Sequence, residues 1–217
     1  RNGDLREAVS GLVGPQLILL MSNERQFEKH VEELEKLFPG VPSIGCIGMS
    51  YDTQVVESGV GVAAFLDGVC AAANVLEQVS VMPVRYIDRL EKDVSQVNAS
   101  AKDTVCIDFC SGNDACVLTT MHSVLKQRGI SLVGGTGDGG KVSANGKVYP
   151  DGVAYALVRN ENGKVKAYKE NIYHTKGDYR FIASRTDKAR YILGALNGMP
   201  AKQVYQKILK VSEQEIP

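Results

Sequence analysis

Apolar residues along the chain fall into strand-like runs separated by segments with helical spacing. The run at 17–21 predicts a buried strand, and Asn23 is placed to cap the helix that follows. That helix carries apolar residues three and four positions apart, at Phe27, Val31, Leu34, Leu37 and Phe38. The remaining elements predicted in this half are strands at 43–47, 58–65 and 70–79, a helix at 83–97 and an entry helix at 5–13.

The second half of the chain repeats this order. Its predicted elements are strands at 104–109, 152–159, 164–173 and 179–184, with helices at 115–127 and 200–211. Asn162-Gly163 predicts a hairpin turn between two of these strands. The segments VPSIGCIG (41–48) and ISLVGGTG (130–137) each run from an apolar strand into a glycine turn.

This repetition predicts an internally duplicated protein. We expect an α/β (mixed α+β) fold built from β-α-β-β-β units, with mixed sheets packed face to face and helices outside. The chain is expected to be a single domain, 1–217, whose lobes cover about 16–98 and 103–185, with 186–217 as a closing segment. A cleft is expected where the two glycine turns meet.

The balance of charge excludes one class of partner. The 217 residues carry 25 basic and 25 acidic side chains, whereas nucleic-acid binding needs a clustered positive surface. The longest apolar runs are of strand length, too short for a bilayer, and an odd number of cysteines, 5, favours reduced thiols. We therefore expect a cytoplasmic domain that contacts neither nucleic acid nor membrane.

The glycine-rich string GTGDGGK (135–141) matches a phosphate-binding loop only in part. Val142 stands where that motif needs a hydroxyl for magnesium, and 143–147 predicts a turn instead of the helix that holds phosphate. A glycine-rich wall and a flexible loop are the alternatives, and in the first case exposed backbone amides and Asp138 would line a ligand pocket.

Three cysteines and one aspartate raise the question of a metal. Cys106, Asp108 and Cys110 alternate on one predicted strand and therefore share a face. Together with Cys116, their spacing matches none of the common zinc or iron–sulfur motifs. Small buried side chains under a helix are the interpretation that we favour.

Cys46 stands in the first glycine turn, a position that would display a nucleophile. A cysteine enzyme needs a histidine base nearby. His30 is expected to face solvent among the charges of its helix, and His122 borders an apolar helical face, which leaves His174. A cysteine-dependent hydrolase or transferase using Cys46 is therefore the alternative function.

His174 has a second interpretation, as a ligand to haem. Neutral imidazole is a common haem ligand, and the absence of a C-x-x-C-H motif would make the binding non-covalent. Tyrosines and arginines cluster around the last predicted strand. They suit either a small carboxylate ligand or an ordinary amphipathic strand with solvated arginines, and the second is the interpretation that we favour for any single residue. They are Tyr173, Tyr179, Arg180, Arg185, Arg190 and Tyr191.

Several motifs, taken in order, resemble the FIST sensory domain family. They are IGC (44–46), the paired glycines Gly134-Gly135, NGKVYPDGV (145–153) and NGMPAKQVY (197–205). The resemblance runs from about Gln16 to Leu209. It departs after Cys46, where IGMSYD (47–52) replaces the family's small hydroxyl residues and acidic glycine turn.

The resemblance implies an N-terminal FIST region that receives a signal and is not an enzyme. Its output partner would be one of three modules: a chemoreceptor of a chemotaxis system, a histidine kinase, or a cyclic-dinucleotide enzyme. The ligand it implies is an amino acid or, as in some members, haem with nitric oxide; His174 is the metal ligand only if haem is bound.

The pocket residues are predicted mainly from the two glycine turns. They are Gly45, Cys46, Ser50, Thr136, Asp138, Tyr155 and Arg180. For an amino-acid ligand, we expect Arg180 to bind the carboxylate and Asp138 the ammonium group. A pure interaction scaffold without a small ligand is the third alternative.

Overall fold

The chain folds into two compact units, Arg1–Tyr168 and Lys169–Pro217. The computed structural model describes residues 4–48, 50–51, 55–56, 59–82, 84–112, 114–168, 174, 177–187, 192–212 and 214. Within this described part, no helix has both the length and the apolar character needed to cross a membrane. The boundaries of the two predicted lobes stay a prediction.

The first unit contains most of the secondary structure. Its helices are α1 (Leu5–Ala8), α2 (Phe27–Leu37), α3 (Ile87–Gln96) and α4 (Asp114–Gln127). Its strands are β1 (Leu17–Ser22), β2 (Ser43–Ile47), β3 (Ser50–Tyr51), β4 (Val55–Val56), β5 (Val60–Phe65), β6 (Val69–Glu77), β7 (Thr104–Cys110), β8 (Ser131–Thr136), β9 (Val142–Ala144), β10 (Lys147–Tyr149) and β11 (Gly152–Asn160).

Two mixed sheets form the centre of this unit, and β3 pairs with β4 separately. The first sheet has the order β10-β9-β2-β1-β5, and the second has the order β6-β11-β7-β8. Each contains one parallel pair, β1 with β2 and β7 with β8, joined by α2 and α4 respectively. An antiparallel strand, β5 or β11, lies on the other side of β1 or β7. Strands from both predicted lobes enter each sheet, because β9 and β10 join the first and β6 joins the second.

Buried side chains show how these layers stack. Ile44 and Val142 of the first sheet pack with Val75 and Ala156 of the second, which places the sheets face to face. Two further cores lie on the outer faces. One packs α1 and α2 on the first sheet, through residues such as Leu5 and Phe27, and the other packs α3 and α4 on the second. The predicted α/β class, with face-to-face sheets and helices outside, is confirmed.

Asn23 and His30 show how the first helix is set. The Asn23 side chain caps a short 3-10 helix that leads into α2, as predicted. The prediction that His30 faces solvent is wrong, because it is 2% exposed. His30 is three residues from Phe27 and four from Leu34, so it shares their buried face. Its Nδ1 lies 2.7 Å from the Ser22 hydroxyl in a hydrogen bond.

The segment after β11 departs from the predicted hairpin. Residues 164–168 form no strand, and 169–173 lie outside the described residues. The Asn162 N–H donates to its near neighbour Asn160 Oδ1, and the Val165 N–H donates to the Lys102 carbonyl at 3.0 Å. The chain therefore crosses towards the start of β7 instead of turning back along β11.

The described residues of the second unit form a small antiparallel sheet and one helix. They contain β12 (Ala183–Asp187), β13 (Ile192–Leu196), β14 (Met199–Pro200) and α5 (Ala201–Leu209). The predicted strand at 179–184 is therefore displaced towards the C-terminus. Val204 of α5 is buried, and α5 packs along β13.

Candidate functional site

The carboxyl ends of both parallel strand pairs meet at one edge of the first unit. The Gly48 N–H donates to the Ser22 carbonyl at the ends of β1 and β2, and the Gly137 N–H donates to the Cys110 carbonyl at the ends of β7 and β8. A β-carbon placed on Gly137 would lie 2.9 Å from Cys46 Cβ and 2.9 Å from the Ile47 carbonyl oxygen. The segments 45–48 and 134–140 are therefore in contact, and we call them together the glycine junction.

Close packing explains two glycines of this junction. Gly134 lies opposite Asp108 in the β7–β8 register, and a β-carbon on it would overlap the Asp108 carbonyl oxygen. A β-carbon on Gly45 would lie 2.6 Å from Ser143 Oγ and 3.0 Å from the Leu20 carbonyl oxygen. Both strands can approach their neighbours this closely only because these positions lack a side chain.

The Cys46 thiol is poorly suited to nucleophilic catalysis. Cys46 is 6% exposed and packs in the core between the sheets. Burial, with a smaller contribution from Asp138, raises the pKa of the Cys46 thiol to about 12. Because the thiolate is the nucleophilic form, a protonated thiol at neutral pH argues against the hydrolase or transferase alternative.

Two carboxylates flank the junction in different environments. Asp138 is exposed in the 3-10 turn that follows Gly137. Asp108 is buried near the end of β7, where its Oδ2 lies 3.5 Å from the Cys110 sulfur, which donates to it. Helix α4 begins at Asp114, four residues after β7 ends, so its N-terminus also lies at this edge. A helix N-terminus favours anions, whereas carboxylates favour cations, so the edge combines features that suit a zwitterion.

Four of the predicted pocket residues are brought together here. Gly45 and Cys46 belong to the first glycine segment, and Thr136 and Asp138 to the second. Ser50 begins β3, two residues after Gly48. These five positions remain the predicted site.

Tyr155 lies elsewhere in the unit. It is fully buried in the core between the second sheet and its helices, and its hydroxyl donates to Asp93 Oδ2 at 2.7 Å. Cys46, by contrast, faces the core between the two sheets. We therefore leave Tyr155 out of the proposed site.

Arg180 and His174 belong to the second unit, where both are exposed. Of the other side chains predicted near them, Tyr173, Arg190 and Tyr191 lie outside the described residues. Arg185 of β12 bonds within its own sheet, because its guanidinium donates to the Gly194 carbonyl at 3.3 Å. The haem ligand role of His174 stays a prediction.

The structure also locates the candidate phosphate-binding loop and the candidate metal-binding cysteines. GTGDGGK leads through a 3-10 turn into β9 and not into the N-terminus of an α-helix, so it lacks the phosphate site of a P-loop. Cys106 and Cys110 share the buried face that packs against α4, as the alternation predicted. In the described part of the chain, no group of three or more His, Cys, Asp or Glu side chains is placed to hold a metal ion.

Sequence reasoning missed the role of Asp93. Asp93 lies on the buried face of helix α3 and accepts hydrogen bonds from both Tyr155 and Asn74. A signal was present, because Leu90, Val94 and Val97 are spaced to mark the buried face of this helix and Asp93 lies beside them. A carboxylate on such a face needs hydrogen-bond donors in the layer below.

Residues 16–199 match the FIST N domain, and the chain belongs to the FIST family. FIST domains are a class of sensory domain and not a class of enzyme. A comparison with curated proteins gave no match.

Proposed function

We propose that this domain is the cytoplasmic signal-input part of a signal-transduction protein and that it binds a small amino acid at the glycine junction. The observation that carries the proposal is the meeting of the two glycine segments at the carboxyl edge of both sheets. Ligands of open α/β sheets bind outside the carboxyl ends of the strands. The free thiols of Cys46, Cys70, Cys106 and Cys110 accord with a reducing compartment.

The proposed site has a partner for each charged group of an amino acid. Asp138, exposed beside the junction, would accept hydrogen bonds from the ammonium group. The N-terminus of α4 and the glycine amides would bind the carboxylate.

A ligand at this site would generate a signal because it would contact both sheets. The two glycine segments belong to different sheets, so a ligand that binds both favours one arrangement of the sheets over others. The shift in population would pass to an output module such as a chemoreceptor, a histidine kinase or a cyclic-dinucleotide enzyme.

A thermal-shift screen of the twenty amino acids, followed by calorimetric titration of each hit, tests the proposal. Asp138→Asn should weaken binding about tenfold, or ~1.4 kcal/mol, with little change in melting temperature. Asp67→Asn is the matched control, because Asp67 is exposed in the turn after β5, at the opposite edge of the sheet. Arg180→Ala tests separately the carboxylate-binding role that the sequence predicts for Arg180, and unchanged affinity would remove that role.

Two results would contradict the proposal. One is the absence of saturable binding for every amino acid, which would favour the scaffold alternative. The other is equal affinity in wild type and Asp138→Asn, which would move the ammonium group away from the junction.

A further inference from the structure

A pocket of about 240 Å³ lies at the edge of the first unit opposite the glycine junction. Its walls come from the end of α2, the middle of β6, the last turns of α3 and the turn between β9 and β10. The Asn145 N–H, in that last turn, donates to the Ser43 carbonyl at the start of β2. The glycine junction lies at the other end of β2, so the two sites are separate.

Asp93 is the buried polar group of this pocket. Its side chain is 6% exposed, and both of its hydrogen bonds reach one oxygen, Oδ2: from the Tyr155 hydroxyl at 2.7 Å and from Asn74 Nδ2 at 3.1 Å. Burial and the bond to Asp93 raise the pKa of the Tyr155 phenol, so it remains a proton donor. These two donors hold the carboxylate in a fixed orientation.

The second oxygen of Asp93 is left to the pocket. Among the described residues, no hydrogen bond reaches Oδ1, and every fully buried side-chain nitrogen or oxygen has a partner. Oδ1 therefore retains solvent access, and Asp93 lines the pocket. A fixed carboxylate oxygen that has solvent access and no protein donor can accept a hydrogen bond from a ligand.

The pocket contains negative charge without a cation to balance it. Its lining includes a second carboxylate, Glu35, and the amides of Gln96 and Asn145, but no lysine, arginine or histidine among the described residues. The nearby Arg89 is bound to Glu77 at 3.2 Å and to the Val75 carbonyl. Because the lining holds two carboxylates and no cation, a ligand that carries a positive charge is favoured.

We propose that this pocket binds a small primary organic ammonium ion, with Asp93 Oδ1 as its main acceptor and Glu35 as the second. A metal ion is a poorer occupant, because the described residues place no third ligand here. The volume is below the roughly 300–1,000 Å³ of sites for drug-sized ligands, which suits a short alkylamine. A ligand with its own carboxylate is disfavoured, because the lining offers that group no cation.

Calorimetric titration of the whole chain with n-butylamine at pH 7 tests this proposal. We expect saturable binding at one site, no binding of the neutral analogue 1-butanol, and at least tenfold weaker binding of 4-aminobutyrate. Asp93→Asn should weaken n-butylammonium binding at least tenfold, and Glu35→Gln several-fold. Glu91→Gln, an exposed position on α3, is the matched control and should leave affinity unchanged.

Both substitutions keep hydrogen-bond acceptors that the native fold uses, so a loss of affinity can be separated from a loss of folding. Asn at 93 keeps an oxygen that can accept from Tyr155, and Gln at 35 keeps the acceptor of the Gly40 N–H. If Asp93→Asn nonetheless loses its native circular dichroism, Glu35→Gln and the three-ligand comparison still decide the question.

Three results would overturn the proposal: no saturable binding of n-butylamine, equal binding of 1-butanol, or unchanged affinity when both carboxylates are neutralised. Asp138→Asn should leave n-butylammonium binding unchanged, so this site and the glycine junction can fail independently of each other.

Discussion

Replacing Gly137 by alanine tests whether the two glycine segments touch. The backbone at Gly137 has φ −77° and ψ 154°, which alanine adopts without strain. The added methyl group would lie 2.9 Å from Cys46 Cβ and 2.9 Å from the Ile47 carbonyl oxygen, and neither atom belongs to a flexible side-chain end. Overpacking of this kind typically costs about 1–3 kcal/mol.

Gly135→Ala is the matched control for this substitution. A β-carbon on Gly135 has no heavy atom within 4 Å beyond its chain neighbours. Both substitutions restrict the unfolded chain equally, a stabilising effect of about 0.4–1 kcal/mol. The difference in free energy of unfolding between the two variants therefore isolates the steric contact, and we expect about 1–3 kcal/mol.

Urea denaturation followed by far-ultraviolet circular dichroism measures this difference, since the chain contains no tryptophan. Gly137→Ala should unfold at a lower urea concentration than Gly135→Ala, with a similar slope. Equal midpoints would show that the segments 45–48 and 134–140 are not in contact, which would refute the geometry of the proposed site.

Two further predictions concern buried groups. The folded protein keeps the Cys46 pKa near 12 against 9.0 in the unfolded chain, so the stability this contributes is present below pH 9 and lost as the pH rises towards 12. Urea midpoints measured from pH 8 to 11 should fall more steeply in wild type than in Cys46→Ala, and parallel falls would contradict the assigned burial. Tyr155→Phe removes the bond to Asp93 and should cost about 1.5–3 kcal/mol, whereas Tyr168→Phe, at an exposed position, should be neutral. Equal urea midpoints for these two variants would show that the Tyr155 hydroxyl is not a buried donor.

The elements predicted best from the sequence are those in which apolar residues follow one clear strand or helix pattern. β2 was predicted at its observed bounds, 43–47, and α2 was predicted from its apolar spacing and its Asn23 cap. The pairing of the glycine segments was also foreseeable, because two similar strand-to-turn segments in equivalent positions are expected to meet.

Side-chain direction was harder to predict where both faces of a strand are buried. Residues 152–158 of β11 are all buried, so no alternation of polar and apolar residues shows which side Tyr155 faces. The acceptor of the Tyr155 hydroxyl, Asp93 on α3, is distant in sequence. His30 is a similar case, because its partner Ser22 lies on the preceding strand.

A nuclear magnetic resonance titration of the ¹⁵N-labelled domain with the α-amino acids tests ligand binding at the glycine junction most directly. The largest backbone amide shifts should fall at Gly48 and at 137–140, and Asp138→Asn should reduce them. Shifts confined to other regions, or none with any amino acid, would contradict ligand binding at the glycine junction.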